Sequence, residues 1–223
     1  VPTKRQRADR ELVRTRLQMK AQQRRLKCQI HGMVKFHGIS YPGEDLRMWS
    51  EPWCRALLER AKVIDGVVAL CLREKLKMLR QVEKGLKVIE EKIGVIYRSS
   101  EVARKISEQS GIGKIAAMVI ATEVVDFGAF GNSEAFACYV GLVPGERSSG
   151  ESIHRGSITK EGNRRLRWIF VECAWAWVRY DAAARERFQG LSYRKGKRKA
   201  IVAMARRLAV KVYHRAVSES AGG

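Results

Sequence analysis

The chain has 223 residues, enough for one domain with a hydrophobic core or for a modest domain with a helical extension. It carries 44 Lys and Arg against 23 Asp and Glu, a formal net charge of +21 at pH 7. Because so large a surplus repels itself in a compact chain, nucleic acid is the partner it most often indicates. The sequence has no long apolar run and no hydrophobic signal segment, which argues against a membrane-spanning or secreted protein. Binding of a basic helix face to an anionic membrane surface stays open as an alternative.

The five cysteines are an odd number, scattered, and contain no Cys-x-x-Cys pair. This usage predicts a reducing compartment and cysteines that serve as small apolar residues. Cys28, His31 and His37 lie close in sequence, but no second cysteine pair completes a zinc spacing. We therefore predict no metal site and no cofactor in this chain.

Two long helical stretches are predicted in the first hundred residues. The first runs from about Asp9 to Val34 and ends before the turn at Tyr41 to Gly43. The second runs from about Glu51 to Arg98, and its apolar residues recur three and four positions apart in a narrow stripe typical of a coiled-coil seam. The stripe could pair with the first helix or with another copy of the chain. We assign residues 1–98 to a basic helical, coiled-coil linker region.

The pattern changes at about residue 110, where glycines, short apolar helices and polar turns replace the long helices. We place the domain boundary between Ile96 and Gly111 and assign residues 103–216 to a second domain. Gly111 and Gly113 stand between two predicted helices, and such a Gly-x-Gly turn exposes backbone N–H groups at a helix start. A nucleic-acid phosphate could bind there beside Lys114; the alternative is a plain helix–helix turn.

A polar segment rich in serine follows the Pro144-Gly145 turn. It places Ser148 and Ser149 among basic residues, and Gly162-Asn163 then leads into a helix with one apolar face and one arginine-rich face. A serine hydroxyl beside cations suits phosphoryl transfer, because the nucleophile attacks phosphorus while positive charges stabilise the developing negative charge. From composition alone, a solvated turn is the favoured alternative. Downstream, a basic cluster at Arg194 to Lys199 and the face of a last helix indicate backbone contacts to DNA or RNA.

Two stretches resemble a known family: GIGKIAAMVIATEVVDFGAF and GLVPGERSSGESIHRGSITKEGNRRLRWIFVECAW. They are similar to the carboxy-terminal domain of insertion-sequence transposases of the IS110/IS116/IS902 type, closely so over residues 103–180. The helical region that begins VPTKRQRADRELVRTR looks like the coiled-coil linker of that family.

The resemblance implies a serine that attacks DNA and becomes covalently linked to it. Carried over by position, this nucleophile is Ser149, with Ser148 in reserve, while Glu123 and Asp126 are interpreted as structural. The residues expected to bind DNA phosphate or to shape the loop are Gly111, Gly113, Lys114, Arg147, Arg155, Lys160, Asn163, Arg164 and Arg167.

The resemblance also implies partners beyond this chain. In the family, an amino-terminal RNase-H-like domain binds divalent metal, expected to be Mg²⁺, and a structured guide RNA selects the sites. This chain has no region that matches such a domain, so we expect a truncated part that is inactive alone. We expect DNA, a guide RNA and a second copy of the chain as partners, no membrane, and a cytoplasmic, nucleoid-associated location in a prokaryote.

The expected fold is mainly α: a long antiparallel or dimeric helical region, then a small helical domain with a helix-hairpin-helix-like Gly-x-Gly turn and a polar serine loop. Two other functions stay open, a non-catalytic helix-hairpin-helix module that binds DNA or RNA, and a coiled-coil dimerising remnant.

Overall fold

The computed structural model describes residues 2–149, 152–158 and 161–218, and between residues 144 and 157 it describes the backbone alone. In these residues the chain is mainly α-helical, as predicted, with one pair of antiparallel strands. The elements in chain order are α1 (Lys4–Phe36), α2 (Glu51–Ile64), α3 (Gly66–Ser99), α4 (Glu101–Ser107), α5 (Lys114–Val124), α6 (Ser133–Val140), β1 (Pro144–Ser149), β2 (Ser152–Ile158), α7 (Arg164–Tyr180), α8 (Ala182–Lys195) and α9 (Lys197–Val217).

The chain divides into two compact units. One consists of residues 14–92, and the other of residues 1–13 together with residues 93–223. Helices α1 and α3 therefore each contribute residues to both units. The domain bounds expected from the sequence, 1–98 and 103–216, stay a prediction.

In the unit of residues 14–92, α1 and α3 lie side by side in opposite directions. Arg16 of α1 bonds to Glu90 of α3 at 2.8 Å, and Lys27, further along α1, lies 3.5 Å from Glu83, earlier in α3. The apolar stripe of α3 is buried with residues of α1 and α2 in one hydrophobic core. Within this unit the stripe therefore packs inside the chain. The buried members of that core are Leu26, Ile30, Val34, Ile39, Trp53, Cys54, Leu57, Ala61, Ala69, Leu72, Leu76, Leu79, Val82 and Leu86.

The second predicted helical stretch is broken at Asp65, which separates α2 from α3. Asp65 has an extended backbone (φ −166°, ψ 141°), and its carboxylate accepts hydrogen bonds from Val67 N at 2.7 Å and Val68 N at 3.1 Å. An aspartate in this position satisfies N–H groups that have no partner within the helix. The apolar periodicity on both sides of Asp65 concealed this break.

In the second unit, the core forms where α5, α6, α7 and α9 meet. The ring of Phe136, which is fully buried, lies 6.1 Å from the ring of Phe170 and 5.8 Å from that of Tyr213. The Tyr213 hydroxyl donates to the Phe130 carbonyl at 2.7 Å, so the buried phenol group is satisfied.

The serine segment differs from the expected polar loop, because its backbone forms the antiparallel pair β1–β2. Ser149 is opposite Ser152 and Ser148 is opposite Ile153, with an irregularity near the start between Pro144 and Glu146. The sequence lacks the alternation of apolar and polar residues that predicts a strand. The pairing is therefore visible only in the structure.

Two of the five cysteines are buried, as expected of small apolar residues, and three are exposed. Burial raises the pKa of the Cys173 thiol to about 12 and raises the pKa of Cys54 as well. None of the helices described is long and apolar enough to cross a membrane.

Candidate functional site: a strand hairpin on a two-glycine neck

The two chain segments that flank the β1–β2 hairpin meet at its base. We call residues 139–142 and 161–163 the hairpin neck. The backbone N–H of Asn163 donates to the Tyr139 carbonyl at 2.8 Å, across the neck. Gly141, at the end of α6, and Gly162, before α7, both have positive φ, of 75° and 99°.

The two neck glycines are required by close backbone contact. A Cβ atom on Gly141 would lie 2.1 Å from the Glu161 carbonyl oxygen, and one on Gly162 would lie 2.3 Å from the Tyr139 carbonyl oxygen. Both distances are far inside van der Waals contact, and the neighbouring atoms are backbone that has little room to move. The segments before and after the hairpin are therefore held at a fixed separation.

Asn163 joins the neck to the start of α7. Its side-chain oxygen accepts from Arg165 N at 3.0 Å and from Leu166 N at 3.2 Å, which caps the helix. Its side-chain nitrogen donates to Glu123 Oε2 of α5 at 3.1 Å. The side chain of Asn163 therefore connects two helices, because its oxygen accepts from N–H groups of α7 and its nitrogen donates to a carboxylate of α5.

Glu123 is a carboxylate in the interior, only 4% exposed. Besides Asn163, it faces Arg165, whose Nη1 lies 4.0 Å from Oε1. A buried charge needs such partners, because burial without them is costly. Next to it in the chain, the Thr122 carbonyl accepts from Arg10 Nε at 2.8 Å. Glu123 therefore has a definite structural contact: its carboxylate connects α5 to the hairpin neck through Asn163.

Arg167 presents a guanidinium group at the same place. Its Nη1 atom is buried next to Gly141 and has no hydrogen-bond acceptor among the groups that the structure describes. A guanidinium group has only donors and no acceptor, so each of its N–H groups needs an acceptor. A buried donor without an acceptor is costly, so this atom is suited to an anionic group brought to the base of the hairpin.

The predicted nucleophile lies in the hairpin that the neck holds. Ser149 is the last residue of β1 and Ser148 precedes it; Arg147 is opposite His154, and Arg155 is opposite Glu146. These positions concern the backbone, and the side chains of residues 144–157 lie outside the description. Lys160 lies outside the described residues altogether.

The predicted Gly-x-Gly turn joins α4 to α5. Gly111 has φ 89°, and a Cβ atom there would lie 2.6 Å from the backbone nitrogen of Trp177 on α7. Gly113 caps α5 without a side-chain hydrogen bond and faces open space, and Lys114 beside it is exposed. Helix packing accounts for Gly111, whereas Gly113 and Lys114 leave the start of α5 accessible to an anion.

The residues predicted to bind phosphate therefore fall into two places. Asn163, Arg164 and Arg167 lie at the first turn of α7, by the neck. Gly111 lies against Trp177, fourteen residues after Asn163, which at 1.5 Å per residue is about 20 Å along the helix. Helix α5 connects the two places, since it begins at the turn and reaches the neck at Glu123.

An open cavity of about 650 Å³ lies beside the neck, with Arg10, Glu123, Asp126 and Tyr139 among its lining residues. Its two carboxylates do not make a metal site: no group of three or more His, Cys, Asp or Glu side chains suited to a metal ion occurs in the described part of the chain. The donor set of these residues does not fit a divalent metal ion.

Comparison with known proteins finds similarity over the part of the chain that carries the hairpin. Residues 103–189 match the model described as "Transposase IS116/IS110/IS902 family". The chain is 34% identical to "Putative transposase y4qE" of Sinorhizobium fredii over 79% of its length and 42% of that protein.

Two further relatives are also named as transposases. The chain is 33% identical to "Probable family 20 transposase" of Pseudomonas aeruginosa over 60% of its length and 41% of that protein. It is 28% identical to "Transposase for insertion sequence element IS1111A" of Coxiella burnetii over 52% of its length and 33% of that protein. The chain thus spans less than half the length of each of these three relatives.

Proposed function

We propose that this chain acts in DNA transposition, as the part that supplies a serine nucleophile to a DNA strand, because residues 103–189 match the IS116/IS110/IS902 transposase family and the chain is 34% identical to a putative transposase. The observation that carries the proposal is the hairpin on its neck. A segment bearing Ser149 is held between two backbone crossings at which no side chain fits, at Gly141 and Gly162. A nucleophile gains from such a rigid support, because attack at phosphorus needs a defined approach.

The proposed step is a transesterification. The Ser149 oxygen attacks a backbone phosphorus, a new O–P bond forms, and the bond from phosphorus to one sugar oxygen breaks. The serine proton leaves to water, and the sugar oxygen that is released takes up a proton. The product is a phosphodiester between serine and the DNA end. A hydroxyl of a second strand reverses the step, which frees the serine and joins the strands.

Arg167 has a role in this proposal as an electrostatic group. Its buried Nη1 lacks an acceptor at the base of the hairpin, and Arg164 is exposed on the first turn of the same helix. Guanidinium groups stabilise the charge that develops on the non-bridging oxygens during attack. The other residues expected to contact phosphate, Arg147, Arg155 and Lys160, belong to the proposal on the strength of the family motif.

A divalent metal and a guide RNA are also part of the proposal, as contributions from outside the described residues. Mg²⁺ would be held by an amino-terminal acidic domain and would supply activation of the phosphate. The structured RNA would choose the site, and a second copy of the chain would bring two active parts together.

The test is a covalent-adduct assay with a full-length transposase reconstructed around this chain by adding the amino-terminal domain of a relative. We expect a DNA–protein adduct that survives denaturing electrophoresis. Ser149→Ala should abolish it without loss of DNA binding, and Ser148→Ala is the matched control that should retain it. Adducts that persist with Ser149→Ala and disappear with Ser148→Ala would move the assignment to the neighbouring serine, and adducts that persist in both would refute it.

A non-catalytic nucleic-acid module is the second candidate, and the start of α5 supports it. Gly113 leaves the first N–H groups of that helix without a side-chain cap and open to solvent. Such a module would bind DNA or RNA with a steep salt dependence and would form no adduct in the same assay.

A further inference from the structure

A groove lined by residues of α7, α8 and α9 lies away from the hairpin neck. It has a volume of about 870 Å³, and its basic lining residues are Arg187 on α8 and Arg206, Arg207 and Lys211 on α9. Two carboxylates, Glu134 and Asp181, also line it. The groove has room for a backbone phosphate with its sugar.

The groove keeps a net positive charge, because four basic side chains line it against two carboxylates. Arg206 is paired with Glu134. By contrast, Arg187 and Arg207 are exposed and make no ion pair or side-chain hydrogen bond within the described residues. Arg207 and Lys211 stand four residues apart on α9, where like charges repel each other along a helix face. A bound anion would relieve that repulsion.

Trp177 lines the groove and contributes the positive end of its indole N–H dipole. Trp177 is only 6% exposed, and its indole Nε1 makes no hydrogen bond of normal geometry in the described structure. The ammonium of Lys211 lies 5.8 Å from the centre of the same ring. The positive end of the indole N–H dipole and the nearby ammonium both raise the electrostatic potential at this point.

Asp181 offsets only part of the positive charge in the groove. Its carboxylate caps α8 by accepting from Ala184 N at 2.8 Å. This backbone hydrogen bond holds the pKa of Asp181 below its ordinary value, with smaller contributions from the indole of Trp177 and the charge of Lys211. The four basic side chains on α8 and α9 outnumber the two carboxylates that line the groove.

We propose that this groove binds the phosphodiester backbone of a nucleic acid, with Arg187, Arg207 and Lys211 as the contact residues. Separate monovalent cations on two helices match successive phosphates, and guanidinium groups bind phosphate oxygens in a forked geometry. The site rests on the proposed function only in that its ligand is nucleic acid. The groove is a contact site separate from the hairpin neck, because Trp177 lies about 20 Å along α7 from the neck residue Asn163.

The Gly-x-Gly turn lies at the same end of α7 as the groove, since Gly111 packs on the backbone of Trp177. The groove itself is lined by residues of α6 to α9 and by none of the turn.

The experiment compares two triple variants of the full chain. The groove variant carries Arg187→Gln, Arg207→Gln and Lys211→Gln. The matched control carries Arg24→Gln, Arg25→Gln and Lys35→Gln, which remove the same numbers of arginines and lysines from exposed positions on α1, outside the groove and outside the basic cluster at Arg194 to Lys199. Circular dichroism and thermal melts establish that both are folded.

Affinity is measured by fluorescence anisotropy with duplex DNA, with a structured RNA of equal length, and with polyglutamate, each over a range of salt concentrations. Because each neutralised phosphate of duplex DNA contributes about 0.9 to the salt slope, the groove variant should lose about 2 to 3 in slope and about tenfold or more in affinity. The control should change much less. A loss confined to DNA or to RNA identifies which backbone uses the groove.

Equal losses in the two variants would show that only total charge matters and would overturn the site. A loss on polyglutamate without a loss on either nucleic acid would overturn it too, in favour of an acidic protein partner. Ser149→Ala, measured in parallel, should bind as the wild type does. Persistent adducts in Ser149→Ala remove the proposed nucleophile, whereas unchanged nucleic-acid binding in the groove variant removes only the groove.

Discussion

Gly162 and Asn163 are adjacent in the chain and have different tasks at the hairpin neck. Gly162 allows the close backbone crossing with Tyr139, while Asn163 caps α7 and bonds to Glu123. From the sequence, the Gly-Asn pair predicts a helix start, and α7 does start at Arg164. The contact of the pair with Tyr139 and Glu123 spans more than twenty residues in each case, so no local pattern could predict it.

Replacing Gly162 with alanine should destabilise the protein. The positive φ costs about 1–2 kcal/mol for a residue with a Cβ atom, and the contact with the Tyr139 carbonyl adds to it. Gly190→Ala is the control, since Gly190 lies inside α8 with nothing near its Cβ position; it should be neutral or stabilising by up to about 1 kcal/mol. Chemical denaturation measures both variants, and equal stabilities would refute the tight neck.

Replacing Asn163 with aspartate separates the two tasks of this residue. Aspartate caps helices as well as asparagine does, so a residue that serves only as a cap should tolerate the change. We expect instead a loss of about 1 kcal/mol or more, because a second carboxylate would face the buried Glu123 and a donor would be lost.

The double variant Asn163→Asp with Glu123→Gln should recover part of that loss, since the facing charge is removed. Denaturant midpoints of the single and double variants measure the recovery. A single variant as stable as the wild type would show that the contact with Glu123 contributes little.

At the scale of elements, the periodic stripe of α3 was the best predictor of packing. Its leucines from Leu72 to Leu86 are buried against α1 and α2, as a helix with one apolar face requires. What periodicity left open was the partner, because the same stripe would serve another copy of the chain. Within the unit, α1 is the partner of the stripe, because Arg16 and Lys27 of α1 form ion pairs with α3 that set the two helices antiparallel.

Two leucines of α3 provide a direct test of this packing. Leu79 is 1% exposed and Leu70 is 51% exposed. Leu79→Ala should lower the free energy of unfolding by about 2–5 kcal/mol, because it leaves a cavity in the core. Leu70→Ala should stay within about 0.5 kcal/mol of the wild type. Thermal and denaturant midpoints of the two variants decide it, and similar losses would mean that Leu70 is covered in solution.

The hairpin is the element that the sequence did not predict. Its two strands contain four serines, two glycines and a proline, and such residues favour turns when taken singly. The backbone pairs nevertheless, from Pro144 opposite Ile158 to Ser149 opposite Ser152. Strand pairing of this kind is set by the neck, which brings both strand ends together, and not by local propensity.

At the scale of the whole molecule, the net charge of +21 has no single location. Among the described residues, the structure distinguishes cations that form ion pairs, such as Arg206 and Arg16, from those that form none, such as Arg187 and Arg207. Composition indicated nucleic acid as a partner and singled out the run at residues 194–199. The groove brings together Arg187 and Arg207, which are twenty positions apart in the chain and which only the packing of α8 and α9 places near each other. The four-residue spacing of Arg207 and Lys211 on α9 is the part of the groove that the sequence itself indicates.

The sequence by itself determined the mainly α-helical class, the apolar stripe of α3, the glycine positions of the turn and the resemblance that led to the transposase family. These follow from periodicity, from residue type and from linear motifs, all of which are local. The tertiary structure decided how α3 packs within its unit, why Gly162 and Glu123 matter, and which cations lack partners. Each of these depends on contacts between residues far apart in the chain, where packing and charge compensation are settled in three dimensions.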